Sequence, residues 1–217
     1  EIYDLSSQLI RDRINLLLKS GFGGLILVLI ILFLFLRFKV AIWVAIGIPA
    51  ALSATLAVML VSGQSINMIS LFALIMMLGI IVDDSIVVAE HIDYQYERTN
   101  DPYTASFLGA TKMLGPVTAA SLTTIAGFAP VFLISGVIGQ VIEAIPLVVI
   151  SVILASLFEC FFVLPGHLNH ALSNNKTIIQ RKVLNLNNYL IYFNQNYFRK
   201  ILEKSIEYRY TTFSLAI

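Results

Sequence analysis

The sequence predicts an all-α fold, a polytopic membrane helix bundle, on three observations. Of its 217 residues, 58% are apolar and 12% charged, about half the charged share of a soluble domain. Apolar runs long enough to cross a hydrocarbon core of about 30 Å recur along the chain. Lysine and arginine then collect after alternate runs, as they do when alternate ends of the spans lie in the cytoplasm.

The first run comprises the 17 uncharged residues Ser20 to Leu36, between Lys19 and Arg37. It follows a pre-membrane segment, 1–19, in which Leu5 to Leu18 read as a short amphipathic helix feeding the span. Val40 to Val82 is a stretch of 43 residues without charge, broken once at Ser62-Gly63-Gln64-Ser65-Ile66-Asn67. The break is a turn between two spans, near Val40 to Val61 and Ile66 to Ala89. Leu114 to Ile142 is uncharged again, giving a fourth span near Pro116 to Ile134 and, beyond Ser135-Gly136, a fifth near Ala144 to Leu164. In lipid each backbone polar group must be satisfied within its segment, so these runs are helices. Five helices therefore form a transmembrane region over 20–164.

Arg37 and Lys39 follow the first span, Arg98 and Lys112 the third, and seven further cations the fifth, while the turns at Gly63 and Gly136 carry none. The first, third and fifth spans are thus expected to end in the cytoplasm. From 165 to 207 the composition turns to Asn, Lys, Tyr and Gln. Leu190, Phe193, Tyr197 and Ile201 recur there at helical spacing beside Arg199, Lys200 and Lys204. This pattern fits a cytoplasmic amphipathic connector lying on the membrane surface; a solvated linker is the alternative. Residues 208–217 read as the start of a further transmembrane helix, and the opening Glu1 and this closing apolar run give the chain the look of an internal piece of a longer protein. No signal leader is evident, because a mixed-charge segment precedes the first apolar run.

Composition narrows function. A net charge of +1 offers no electrostatic footprint for nucleic acid. The lone Cys160 cannot form an internal disulfide, and with three histidines it makes no metal-ligand spacing. No cofactor or metal is expected. His91, His167 and His170 fall at predicted helix ends, and no Ser-His-Asp arrangement is legible, so catalysis of covalent chemistry has little support.

The most informative residues are Asp83 and Asp84, both inside the third span. At 1.5 Å per residue they lie roughly 22 Å along the helix from Met68, where an aspartate costs about 2.5–3.5 kcal/mol to insert. They must face protein or a hydrated path. Burial and mutual repulsion favour their neutral forms and a cation on another helix their charged forms, so the pair is a candidate proton relay. A cation site formed by Asp84 with Glu90 or His91 is opposed by spacing of about 9–10.5 Å along the helix; those two residues mark the interface instead. A packing contact without turnover is the plain structural alternative. Gly79, one turn before Asp83, is expected to let a neighbouring helix approach the relay. Glu159, in the fifth span, either joins an accessory proton path or snorkels to the interface. Thr118, Ser121 and Thr124 recur at three-residue steps in the fourth span and either pack across helices or line that accessory path. Cys160 reads as a small apolar filler. Pro49, and Gly127 with Pro130, are expected to allow bends.

From Phe22 through His170 the chain resembles the first-half membrane region of the resistance-nodulation-division (RND) efflux transporters, hydrophobe/amphiphile group. The carrying motifs are Ala41-Ile42-Trp43-Val44-Ala45-Ile46-Gly47-Ile48-Pro49, Ser65-Ile66-Asn67-Met68-Ile69-Ser70-Leu71-Phe72, Gly79-Ile80-Ile81-Val82-Asp83-Asp84-Ser85-Ile86-Val87-Val88, Pro116-Val117-Thr118-Ala119-Ala120-Ser121-Leu122-Thr123-Thr124 and Leu164-Pro165-Gly166-His167-Leu168. The resemblance implies that the five spans are the second to sixth of twelve. It implies that Asp83 and Asp84 carry protons as the coupling ion, with a partner lysine on a second-half helix. It also implies a homotrimer in the inner membrane of a Gram-negative cell, joined to a periplasmic adaptor and an outer-membrane channel, that exports amphiphilic small molecules by proton antiport. A protein-export motor of the same superfamily, and a non-transporting membrane scaffold or lipid-binding module, are the competing expectations.

Overall fold

The computed structural model describes residues 2–173 and 194–216, which fall in two separate units divided between Lys176 and Thr177. The described residues are mostly helical, with short turns between helices, and contain no strand. In the first unit α1 runs over Ile2–Phe35, α2 over Phe38–Val61, α3 over Met68–Thr99 and α4 over Pro102–Phe128. A 3-10 turn at Ala129–Leu133 follows, then α5 over Gly136–Ile142, α6 over Ala144–Phe158, a π-helical turn at Glu159–Val163 and α7 over Leu164–Ser173. Five of these helical stretches are long and apolar enough to cross a membrane.

The predicted spans are present, with three differences at their ends. The entry segment and first span form one continuous helix, α1. The third span runs to Thr99 rather than ending near Ala89, so His91 lies within α3 rather than at a helix end. The apolar run marks only the lipid-buried part of that helix. The chain leaves it at Asn100, which takes the left-handed backbone at φ 52°, a conformation asparagine tolerates. The fourth helix starts fourteen residues earlier than expected, because Pro102, not Pro116, occupies its first turn. Proline suits that position, where its missing N–H is no loss. Asp101 caps this helix, its Oδ2 accepting from the Thr104 amide at 2.9 Å. Hydrogen bonding from the Thr104 side chain, and then from its amide, holds the Asp101 carboxyl below the usual carboxylate range.

The turn between α2 and α3 has a similar local logic. Gly63 supplies φ 72°, and Asn67 and Ser70 form a reciprocal cap. Asn67 Oδ1 accepts from the Ile69 and Ser70 amides at 2.9 and 3.0 Å, and Ser70 Oγ accepts from the Asn67 amide at 2.8 Å. Such a cap satisfies orphan amides at a helix start. Towards the chain's other end, α7 carries the helix through Pro165 to Ser173. The residue one turn before Pro165, whose carbonyl the ring would meet in a regular helix, lies in the π turn, where bonding is already shifted.

Helix α3 is the hub and packs on α1, α2, α4, α6 and α7. Its buried stripe of Ser70, Ala73, Met77, Ile81, Ser85, Val88 and Ile92 recurs every three to four residues, as one helix face must. Against it lie Val44 and Ile48 of α2, Val148, Val149 and Val152 of α6, and Leu164 and Leu168 of α7. Helices α3 and α4 approach closely at Gly109, where a Cβ would fall 2.6 Å from Ile92 Cα. By contrast α1 leaves Phe22, Leu27 and Ile30 uncovered by the described helices.

The junction of α1 and α2 is tied to α3 by charge. Arg37 Nε meets Asp93 Oδ2 at 3.0 Å, and its guanidinium also pairs with Glu97 one turn further on. In the second unit a π turn at Asn194–Phe198 leads into α8, Arg199–Glu207, and then α9, Arg209–Ala216. An exposed Arg199–Glu203 pair at 2.9 Å staples α8. Leu190 and Phe193 of the predicted amphipathic pattern lie outside the described residues.

Candidate functional site: a carboxylate cluster between α2, α3, α4 and α6

Adjacent residues on a helix point about 100° apart, and that rotation gives the two aspartates different surroundings. Asp84 turns towards α4, where Ser121 Oγ donates to its Oδ2 at 3.2 Å. Asp83 turns the other way and is exposed on the surface of the chain. Gly79, Asp83, Val87, Glu90 and Tyr94 are all exposed and recur at three- or four-residue steps, so they form one stripe of α3 that no described helix covers. Gly79 belongs to this open stripe. A Cβ built there meets nothing within 4 Å, so the expected close helix contact at Gly79 is absent among the described residues. A glycine's lack of a side chain permits close approach but does not require it.

Of Thr118, Ser121 and Thr124 in the fourth span, Ser121 is buried and bonds across to α3. Thr124 turns its hydroxyl to its own helix, donating to the Ala120 carbonyl at 3.2 Å, and Thr118 is half-buried. Steps of three fall about 60° short of a full turn each time, so the three cannot share one contact line.

Glu159 lies inside the bundle, 7% exposed, and does not snorkel outward. Its Oε2 is 3.5 Å from Ser85 Oγ, and Ser85 is in turn 3.2 Å from Cys160 Sγ. Ser85 follows Asp84 in sequence, so α3 presents the aspartate to α4 and the serine to α6 and its π turn. On its other side the Glu159 carboxyl rests on Gly47 of α2, at which a Cβ would stand 2.5 Å from Oε1 and 2.7 Å from Cδ. Cys160 is fully buried. Gly47 and Ser85 are the members of the cluster that residue-by-residue reading passed over. Both stood inside quoted motifs, yet neither signals chemistry until its neighbour from a distant segment is known.

Near the end of α3 that carries the cation pairs, His167 stacks on Trp43 with ring centroids 4.1 Å apart and 7° between planes. Among the described residues no group of three His, Cys, Asp or Glu side chains is arranged to hold a metal ion.

Comparison with known proteins agrees with this architecture. Residues 2–217 match the model of the AcrB/AcrD/AcrF family. The chain is 30% identical over 158 residues to the multidrug resistance protein MdtC of Photorhabdus laumondii, covering 73% of this chain and 15% of that protein. It is 36% identical over 114 residues to MdtC of Pantoea ananatis, 52% of this chain and 11% of the relative. An uncharacterized transporter of Haemophilus influenzae is 28% identical over 136 residues, 63% of this chain and 13% of the relative. The chain thus spans about 15% of the length of the first of these relatives. With a match along nearly its whole length and a bundle of membrane-crossing helices beneath it, this multi-pass membrane chain belongs to the AcrB/AcrD/AcrF family of RND permeases.

Proposed function

We propose that the chain works as the proton-binding part of a longer, proton-driven RND efflux permease, a secondary active transporter that exports amphiphilic small molecules. The observation that carries this reading is the asymmetric aspartate pair: Asp84 is held by Ser121 of α4, while Asp83 lies on the uncovered stripe of α3. A carboxylate facing lipid at that depth would cost about 2.5–3.5 kcal/mol, so the stripe is a surface for further protein. The family resemblance supplies the occupant, a helix bearing a lysine.

In this reading protonation is an electrostatic switch. With both acids neutral, the attraction between Asp83 and the cation opposite it is lost. Asp84 is then able to donate to Ser121 as well as accept from it. The covering helix settles into a second packing, and release of the protons restores the first. Transport coupling follows if that helix communicates with a substrate path elsewhere in the permease. The coupling ion is the proton, with no bound cofactor. The setting is the inner membrane of a Gram-negative cell, as a homotrimer with a periplasmic adaptor and an outer-membrane channel.

The test is export by the full-length permease carrying Asp83→Asn or Asp84→Asn. Loss of export with normal membrane insertion is expected. Unchanged export would reject proton coupling at this pair and favour a scaffold in which the acids only pack.

A further inference from the structure

We propose that Glu159 is a proton-binding carboxyl in its own right, neutral in the packing seen here, with Gly47 and Ser85 building the site that holds it. Its link to transport rests on the proton-driven reading above; its protonation state does not.

The site is built from three segments. Glu159 opens the π turn at Glu159–Val163, and such turns are frequent at functional sites. The Glu159 side chain is buried in the bundle, and the helix resumes at Leu164. Gly47 gives the carboxyl its space by having no side chain: a Cβ there would sit 2.5 Å from Oε1, 2.7 Å from Cδ and 3.0 Å from Oε2. Ser85 closes the third side at 3.5 Å.

The hydrogen inventory favours the neutral form. A serine hydroxyl has one hydrogen; Ser85 Oγ is placed to donate it to the Ile81 carbonyl at 3.1 Å or to Glu159 Oε2 at 3.5 Å, and the nearer Ile81 carbonyl is the better acceptor. With that hydrogen spent, Ser85 Oγ is an acceptor, which suits a protonated Glu159 donating to it. An ionised Glu159 would have to draw that hydrogen away from Ile81, with only the weak S–H donor of Cys160 besides. Among the described residues no cation forms a salt bridge with it. The titratable groups on the elements around it are Lys39 of α2, Asp83, Asp84, Glu90, His91, Asp93, Tyr94, Tyr96, Glu97 and Arg98 of α3, Tyr103 and Lys112 of α4, Cys160 beside it, and His167 and His170 of α7. His167 is stacked on Trp43. A buried carboxylate without a cation is the form that folding avoids.

Proton occupancy at Glu159 is therefore tied to helix packing. To ionise, the carboxyl gives one proton to water and keeps the electron pair as a carboxylate, and no other bond changes. Fuller contact with water requires α2, α3 and the π turn to part, since Glu159 is 7% exposed in this packing. Ser85 and Asp84 are consecutive, so a rotation of α3 that changes the Asp84–Ser121 contact also moves the Ser85–Glu159 contact. The two carboxyl sites then respond to one motion.

The test uses the full-length permease reconstituted in bilayers and studied by infrared spectroscopy at neutral pH. The wild type is expected to show a protonated-carboxyl band that vanishes in Glu159→Gln and persists in the Asp83→Asn/Asp84→Asn double variant. A band unchanged by Glu159→Gln overturns the proposal, as does the absence of any such band in the wild type. Gly47→Ala, which pushes on the carboxyl without removing it, is expected to shift the band; this arm decides the matter where Glu159→Gln fails to insert, and an unmoved band there overturns the site. For the link to transport, Glu159→Gln is expected to slow export about tenfold, the size of a modest coupling free energy, and to flatten its pH profile. Wild-type rate and profile would overturn the link. Export lost in the aspartate variants with no Glu159 band rejects this proposal alone, whereas a Glu159 band with export indifferent to the aspartates rejects the relay alone.

Discussion

Replacing Gly109 by alanine tests whether α3 and α4 meet as closely as described. The new Cβ would stand 2.6 Å from Ile92 Cα, 2.6 Å from Ile92 Cγ1 and 2.9 Å from Ile92 N, where ordinary contact begins at 3.4 Å. Two of these atoms are helix backbone and cannot turn aside, so α4 must retreat by about 0.8 Å. A gap of 0.5–1 Å forfeits about a quarter to a half of each dispersion contact along the seam, and overpacking of this kind costs about 1–3 kcal/mol. Alanine returns about 0.5–1 kcal/mol of helix propensity. The net expectation is a loss of about 1–2 kcal/mol in reversible unfolding of the purified permease in mixed micelles. Gly127→Ala on the same helix, where a Cβ meets nothing within 4 Å, is the control and should be neutral or slightly stabilising. Equal stability of the two variants would refute the close approach.

Ser121→Ala removes the donor to Asp84 and leaves the partner in place. A hydrogen bond of about 0.5–1.5 kcal/mol corresponds to roughly a 2- to 12-fold change in export rate, measured in cells at matched expression. Arg37→Ala takes away the guanidinium shared by Asp93 and Glu97; with Asp93 buried, a loss of about 1–3 kcal/mol is expected, and Arg37→Met with Asp93→Leu should recover much of it. The Asp101 cap carries a pH signature. Its folded-state carboxyl is held below the usual carboxylate range by hydrogen bonds from Thr104, side chain first and then amide, so its contribution is full above the unfolded-state value of about 3.9 and fades as pH falls through the lower folded value. Thermal midpoints of the wild type and Asp101→Ala should therefore converge on acidification through and below that range; a constant difference would deny the cap its charge.

Much of the architecture was legible because a bilayer imposes a one-dimensional rule: absence of charge over a span's length marks a helix, and cation placement orients it. The Asp83–Asp84 pair was legible for the same reason, since charge within such a run is conspicuous. The helix ends were less so. Reading Pro116 as a start missed Asp101-Pro102, whose cap and first-turn proline are the stronger local signal. Asp93 and Glu97, an i,i+4 acidic pair beyond the apolar run, pointed to a cation, but nothing local selects Arg37 over the other basic residues. The surroundings of Glu159 were illegible altogether. Gly47 and Ser85 become its neighbours only through packing of α2, α3 and α6, and a glycine or serine in an apolar helix is ordinary until something is found against it. The rotation that parts Asp84 from Asp83 follows from helix geometry, yet which of them meets α4 depends on how that helix is seated.

The central claim is that the aspartate pair binds the protons that drive export. The direct measurement is proton movement across liposomes containing the full-length permease, followed with a pH-sensitive dye as a transported amphiphile is added. Proton flux that rises with transport in the wild type and disappears in Asp84→Asn is the result predicted. Transport that proceeds in Asp84→Asn liposomes at the wild-type rate, or in wild-type liposomes with no accompanying proton movement, would contradict it.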